Sequence, residues 1–187
     1  LTKLISETNA QVQKLEQRKN ELSSQLNALK DTADKNEKAA EIAKQNAQTN
    51  GILSGRLAAT GEGVVIRISQ GSKQKIDSAI LFTLLEELRN SGAEVIEINN
   101  VRVVTSTYIS GTAGSLVCDG TKLKSPFTIR AIGDSDNLQN AVNLAGGVGS
   151  RLKVKYGATV SVSPSDKVMI KSTRQAPQYT YAHVIGQ

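Results

Sequence analysis

Two interlocking seven-residue series open this chain and constrain it more than anything that follows. Leu1, Thr8, Leu15, Leu22 and Leu29 form one, and Ile5, Val12, Lys19 and Leu26 form the other, with seven of the nine positions apolar. Side chains recurring twice per seven residues fall along one line of an α-helix, so the pattern predicts a coiled coil with the first series at d and the second at a. The first fifty residues contain neither Gly nor Pro, and Gly51 is read as the first terminator. The seam then thins: Ala33, Ala40 and Ala47 continue a, with Asn36 and Ala43 at d. β-branched Ile5 and Val12 at a, leucines at d and a lone Lys19 at a all favour two parallel strands. The expected dimerisation seam is therefore Ile5, Thr8, Val12, Leu15, Lys19, Leu22, Leu26 and Leu29, and the first expected partner is a second copy of the chain. A helix packed on its own globe is the alternative, since short coiled coils are marginal alone. Fifty helical residues would extend about 75 Å, which suits a spacer.

Beyond Gly51 the texture changes to short β-rich runs separated by glycines, dividing the chain into a coiled-coil helix, 1–50, and a globular domain, 51–187. Gly63–Ser69 alternates as a strand. Ile76–Asn90 carries Ile76, Ile80, Leu81, Leu84, Leu85 and Leu88 at helical spacing and ends at Ser91-Gly92. Ala93–Asn99 reads as a strand that Val101–Thr105 continues, and Asp119-Gly120 within Leu116–Leu123 is a strong hairpin signal. Phe127–Ile132 is a further strand. Asp134 or Ser135 caps a helix through Leu144 or beyond, with Leu138, Val142 and Leu144 or Ala145 inward. Leu152–Val154, Thr159–Val162 and Val168–Lys171 close the domain as strands. Two βαβ-like halves predict an α+β, ferredoxin-like sandwich with both helices on one sheet face and the other face free to dock a partner.

With these residues placed, the globe resembles a bacterial family known as domain of unknown function 881. The resemblance spans about 51–187 and rests on Gly61-Glu62-Gly63-Val64, Leu84-Leu85-Glu86-Glu87-Leu88, Gly92-Ala93-Glu94, Ile98-Asn99 and Arg102, Pro126-Phe127, Ile129, Ala131-Ile132-Gly133 and Tyr181-Ala182. Glu62 stands where the family usually has Pro, Glu86 where it generally has Asn, and Val101 where it has a polar residue. The resemblance implies a membrane-anchored protein of Gram-positive bacteria, with its globe on the extracytoplasmic side of the plasma membrane. It also implies an association with cell division or wall synthesis. The chain begins at Leu1 and not Met, so the expected single-pass anchor would precede it.

Residue chemistry points away from catalysis. The single histidine, His183, lies four residues from the end, and the single cysteine, Cys118, precedes a turn and reads as a small buried hydrophobe. Neither Gly111-Thr112-Ala113-Gly114 nor Gly146-Gly147-Val148-Gly149 ends in Gly-Lys-Ser/Thr, so both read as helix caps or loops. Asp134 and Asp136 are the best pair for metal-dependent, cyclase-like chemistry, but carboxylates at that place serve equally as a cap. No catalytic group, metal site or cofactor is expected.

Binding is the remaining class. The net charge is +6, and residues 51–187 hold fifteen Lys/Arg against ten Asp/Glu, a balance that either solubilises the domain or favours anionic partners. Arg151, Lys153 and Lys155 alternate with Leu152, Val154 and Tyr156, which on a strand places three cations on one face. Those three join Asn99 and Arg102, at a strand end, as partner-binding candidates; Arg102 either anchors an interface or holds loop carbonyls. Nucleic acid is not expected, because a ferredoxin-like RNA binder stacks bases on sheet aromatics and aromatics make up only 3% of this chain. The expected function is a noncatalytic interaction module docking another envelope or division protein, with a small-ligand or anionic-polymer sensor as the alternative.

Overall fold

The computed structural model describes residues 2–183 and 185, and along the first helix it describes side chains from residue 9 onward. Leu1 and the side chains of Ile5 and Thr8 thus lie outside the described residues. The chain divides into two compact units, Leu1–Ala47 and Gln48–Gln187.

Helix α1 spans Thr2–Leu53, so it runs through Gly51 instead of ending there. A Cβ at Gly51 would meet the end of the Leu57 side chain, Cδ1 at 2.5 Å, so glycine here lets that side chain pack close and is not a stop. The stop is Gly55, at φ +74°, with the N–H of Gly55 on Ile52 O at 3.0 Å and that of Arg56 on Gly51 O at 2.8 Å. In the first unit the seam side chains are open: Val12 is 48% exposed, Leu15 67%, Leu22 59%, Leu26 53% and Leu29 68%. Lys19 is exposed as well.

The second unit is α+β. Its main sheet contains β1 (Ala59–Ser69), β2 (Val95–Ile98), β3 (Val101–Val103), β7 (Phe127–Ile132) and β8 (Thr159–Ile170), in the order β3-β2-β7-β1-β8 and antiparallel throughout. A small meander, β4 (Ile109–Thr112), β5 (Ser115–Cys118) and β6 (Thr121–Lys122), is inserted between β3 and β7. Three helices, α2 (Ser78–Asn90), α3 (Ser135–Asn143) and α4 (Val148–Val154), pack with the sheet around one aliphatic core. Ile80, Leu81, Leu84, Leu85 and Leu88 of α2 meet Val64, Ile66, Ile68, Ile96, Ile98, Ile129 and Ala131 of the sheet there. Each such Leu or Ile contributes about 1.5–3 kcal/mol by leaving water. On the sheet's opposite face a smaller cluster gathers Val95, Ile132, Val168 and Ile170, flanked by Ala59 and Val65. The two halves are unequal, because the second carries two helices and the meander adds a second sheet.

Several elements differ from the sequence reading for identifiable reasons. Ile76 is buried but precedes α2, whose cap is Asp77: its Oδ1 accepts the N–H of Ile80 at 2.9 Å. Val101–Val103 does not continue β2 but folds back on it, because Asn99 and Asn100 both adopt positive φ, 45° and 65°, in a two-residue hairpin turn. Residues 152–154 are not a strand: Val148, Leu152 and Tyr156 are buried at helical i, i+4 spacing while Val154 is 67% exposed. Leu144 points outward, 64% exposed. The last two expected strands are one, β8, which pairs along β1 with a break in register between Gly61 and Gly63. Gly111–Gly114 belongs to the β4–β5 hairpin, and Gly146-Gly147 both follows α3 and opens α4.

Candidate functional site

The face of the sheet opposite the helices holds the most elaborate polar arrangement among the described residues. Register places Glu97 on β2 between two arginines, Arg130 on β7 and Arg102 on β3. Glu97 is only 3% exposed, in the middle of the apolar run Val95-Ile96-Glu97-Ile98, and a carboxylate there needs partners. Arg130 Nη1 donates to Glu97 Oε1 at 2.6 Å and to Asn100 Oδ1 at 3.3 Å, and the Ser172 hydroxyl donates to Glu97 Oε2. Beyond β8 the chain reaches β2 and β3: Arg174 donates from its backbone to Gly55 O at 2.8 Å, from Nε to Arg102 O at 2.8 Å and from Nη2 to Thr107 Oγ1 at 3.0 Å, and it pairs with Asp119.

Arg102 is 2% exposed and serves this interior, which corrects its reading as a partner-binding candidate. Its Nη1 donates to Leu57 O at 2.9 Å and Ser172 O at 3.2 Å, and its Nη2 to Ile52 O at 2.9 Å, joining the end of α1, the following segment and the C-terminal segment. Burial draws its pKa down and the Glu97 charge opposes that. Asn99 is likewise committed within the domain: its amide nitrogen donates to Lys124 O at 2.7 Å and its oxygen accepts the N–H of Thr128 at 2.7 Å, holding the β2–β3 turn onto β7.

A recess of about 630 Å³ opens beside the Glu97 pair. Glu97, Asn100, Arg130 and Ser172 line one part of it, and Val65 with the segment around Lys167, Val168, Met169 and Lys171 lines another; along that segment Val168, Ile170 and Ser172 face the Glu97 side, and Lys167, Met169 and Lys171 alternate away from it. None of Asn99, Arg102, Arg151, Lys153 and Lys155 lines it. The one available signal was Glu97 itself, an acid inside an aliphatic strand.

Arg151, Lys153 and Lys155 lie on and just after α4, all exposed, so the strand face proposed for them does not form. Arg151 and Lys155 meet at a shallow recess of about 180 Å³ with Asp77 and Tyr156, and Lys153 is not in its lining. Tyr156 is 3% exposed and donates to Asp77 Oδ2 at 2.7 Å. Burial and the Asp77 carboxylate push the Tyr156 phenol up to about 12. On Asp77, burial pushes upward, but the Ile80 N–H, the Tyr156 hydroxyl and the Lys155 charge outweigh it and hold the carboxyl below its usual range. Because the phenol's folded pKa lies above its ordinary value near 10, its contribution is intact below pH 10 and is lost as pH climbs through about 12. Urea unfolding of wild type and Tyr156→Phe should therefore show a stability gap that is constant up to pH 10 and closes by about pH 12. A gap that ignores pH would break the assignment.

Asp134 caps α3, accepting the N–H of Asn137 at 2.8 Å, and Glu62 adds a second cap through Ser135 N at 3.1 Å and Ser135 Oγ at 2.7 Å. Hydrogen bonds from Ser135 hold the Glu62 carboxyl below its ordinary pKa. Cys118 is buried, and burial pushes its thiol up. Among the described residues no group of three or more His, Cys, Asp or Glu is placed to hold a metal ion, and no helix is long and apolar enough to cross a membrane.

A family model described as "Bacterial protein of unknown function (DUF881)" matches residues 46–183, from the last turns of α1 through the globe. The chain belongs to the DUF881 family. This DUF881 chain is 34% identical over 169 residues to UPF0749 protein Rv1825 of Mycobacterium tuberculosis, covering 88% of this chain and 57% of that protein. It is 30% identical over 126 residues to UPF0749 protein YlxW of Bacillus subtilis, covering 63% of this chain and 54% of that one. The chain thus spans a little over half the length of these relatives. This DUF881 chain is also similar to a crystal structure of an uncharacterized conserved protein from Mycobacterium tuberculosis, with TM-score 0.67 and 35% identity, over 75% of this chain and 99% of that one.

Proposed function

We propose that this DUF881 chain is a noncatalytic interaction module whose N-terminal helix forms a parallel coiled-coil dimer. Its globe docks another protein of the bacterial envelope or division machinery, and an N-terminal anchor holds it at the plasma membrane with the globe extracytoplasmic. The observation that carries the reading is the line of large apolar side chains from Val12 to Leu29, 48–68% exposed, which a second helix would bury. The ferredoxin-like reading belongs here too. It is supported by the order β2-β7-β1-β8, with helical crossings after β1 and after β7, once β3 and the meander are set aside as additions.

Sedimentation equilibrium tests the dimer. The wild-type chain should sediment as a dimer at micromolar concentration, and Leu15→Lys/Leu22→Lys, which puts ammonium groups at two d positions, should be monomeric. A monomeric wild type, or a double variant that still dimerises, would remove the coiled coil. A globe-only chain for the same experiment should begin at Gln48, because Arg102 binds the Ile52 carbonyl.

The recess lined by Arg130 favours the second reading, a sensor of small ligands or anionic polymers. Cyclase-like metal chemistry has less support, since Asp134 is engaged as the α3 cap.

A further inference from the structure

We infer that the open part of the sheet face carrying Arg67 and Arg130 docks an extended acidic segment of a partner protein, one with carboxylates two residues apart. The inference rests on the interaction-module reading, to which it adds the surface and the partner's chemistry.

Strand parity puts these residues on one face. Ile66 lies in register between Ile129 on β7 and Val162 on β8, and all three pack in the core on the helix side. Side chains alternate along each strand, so Arg67, Thr128, Arg130, Ser161 and Ser163 face the opposite way. The apolar cluster of Val95, Ile132, Val168 and Ile170 closes one end of that face. The other end stays open: Arg67, Ser161 and Ser163 are exposed, and Arg67 stands in register between Thr128 and Ser161, two short hydroxyl side chains that leave it accessible.

Charge and spacing then narrow the occupant. Among the described residues Arg67 takes part in no salt bridge, and neither of its cross-strand partners is acidic. Arg130 donates from Nη1 to Glu97 and Asn100, which orients the guanidinium and leaves Nε and Nη2 with no protein acceptor among the described residues. Planar donors held in this way take carboxylates well. Val65 is directly opposite Arg130, and Arg67 is two residues further along β1, so the two arginines are diagonal neighbours about 7–8 Å apart. On an extended peptide, side chains two residues apart share a face and are separated by about 6.6 Å. Two acids at that spacing can each meet one arginine, whereas adjacent acids point to opposite sides. The hydroxyls of Thr128, Ser161 and Ser163, able to donate and accept, suit the amide groups between them. Among the described residues no aromatic side chain stands on this face of β1, β7 and β8 for a base to stack on, which separates the segment from single-stranded nucleic acid.

Calorimetric titration of the full chain at low salt tests the assignment with three probes of equal charge. They are a capped octapeptide of alternating Ser and Glu, its isomer with the same residues in repeated Ser-Ser-Glu-Glu order, and tetragalacturonate, which carries its carboxylates on sugar rings. The alternating peptide should bind saturably, weaken with added salt and exceed the isomer at least fivefold. Arg67→Gln should bring the two peptides to parity, while Lys122→Gln, an equal charge loss at the meander, should leave both within twofold of wild type. Isomers bound equally by the wild type would mean diffuse charge attraction and overturn the face. A preference that survives Arg67→Gln would put the site elsewhere and overturn this face, leaving the globe a docking module. Tetragalacturonate bound more tightly than the alternating peptide, and lost with Arg67→Gln, would overturn the protein partner in favour of an anionic polymer and take the interaction-module reading with it. Absence of binding by all three would overturn the acidic segment alone, since that reading names no partner chemistry.

Discussion

Arg102→Ala should cost the globe about 3–5 kcal/mol, the range for removing one member of a buried charged network. The guanidinium is the common donor to the carbonyls of Ile52, Leu57 and Ser172, and among the described residues no other side chain bridges these three segments. Deleting it opens a cavity, strands those carbonyls and removes one of the two cations that flank the buried Glu97 carboxylate. Urea unfolding followed by tyrosine fluorescence would measure the loss; at about 2–4 °C per kcal/mol, a thermal scan should fall by roughly 6–20 °C. Arg102→Lys should recover less than half, because one ammonium group cannot reach carbonyls approached from both ends of a planar fork. An alanine variant within 1 kcal/mol of wild type would show that water replaces the guanidinium freely and that the network is not a clamp.

Where the pattern was local, the sequence declared the fold. Phe127–Ile132 is a strand with the bounds its alternation implied, α2 buries the five apolar residues its spacing selected after the cap, and Asp119-Gly120 turns with positive φ at both positions, 46° and 82°. Failures came where two periods coincide over a short run. Residues 151–156 alternate polar and apolar, yet 148, 152 and 156 also satisfy a helical repeat, and the core accepted the second pattern. Asn99-Asn100 is a weaker hairpin signal than Asn-Gly, so neither the reversal into β3 nor the burial of Arg102 that follows from it is legible in the sequence.

The site was less legible than the fold because its partners are remote in sequence. Arg130 is 33 residues from Glu97 and Ser172 is 75, so no local spacing announces the cluster. Val168, Ile170 and Ser172 visibly alternate, but what their face looks onto is decided by the register of β8 on β1 and by the chain's return towards β2. Asn99 and Arg102 sit beside this cluster and maintain it: Asn99 fixes the turn whose next residue, Asn100, accepts from Arg130, and Arg102 holds the carbonyl of Ser172, whose hydroxyl binds Glu97.

Gly63→Ala should be as damaging as the loss of Arg102, through geometry alone. A Cβ at Gly63 would stand 1.9 Å from Ala131 O and 2.9 Å from both Ala131 C and Ile132 Cα, all backbone of the neighbouring strand β7. No rotamer change relieves that contact, so β1 and β7 must separate at the end of their ladder, where Gly63 pairs with Ile132 on one side and Ser165 on the other. The expected cost is about 3–4 kcal/mol, above the usual range for overpacking because the obstacle is main chain. Two further glycines calibrate it. At Gly61 the added carbon meets only Ile132 Cγ2, at 2.9 Å, a side chain able to yield, so alanine there should cost less than half as much. At Gly92 it meets nothing within 4 Å, leaving only the strain of φ +92°, about 1 kcal/mol. The order Gly63 above Gly61 and Gly92 in a denaturant series would show that the glycine before Val64 exists to bring two strands together; Gly63→Ala no worse than Gly92→Ala would show that the sheet can open there at little cost.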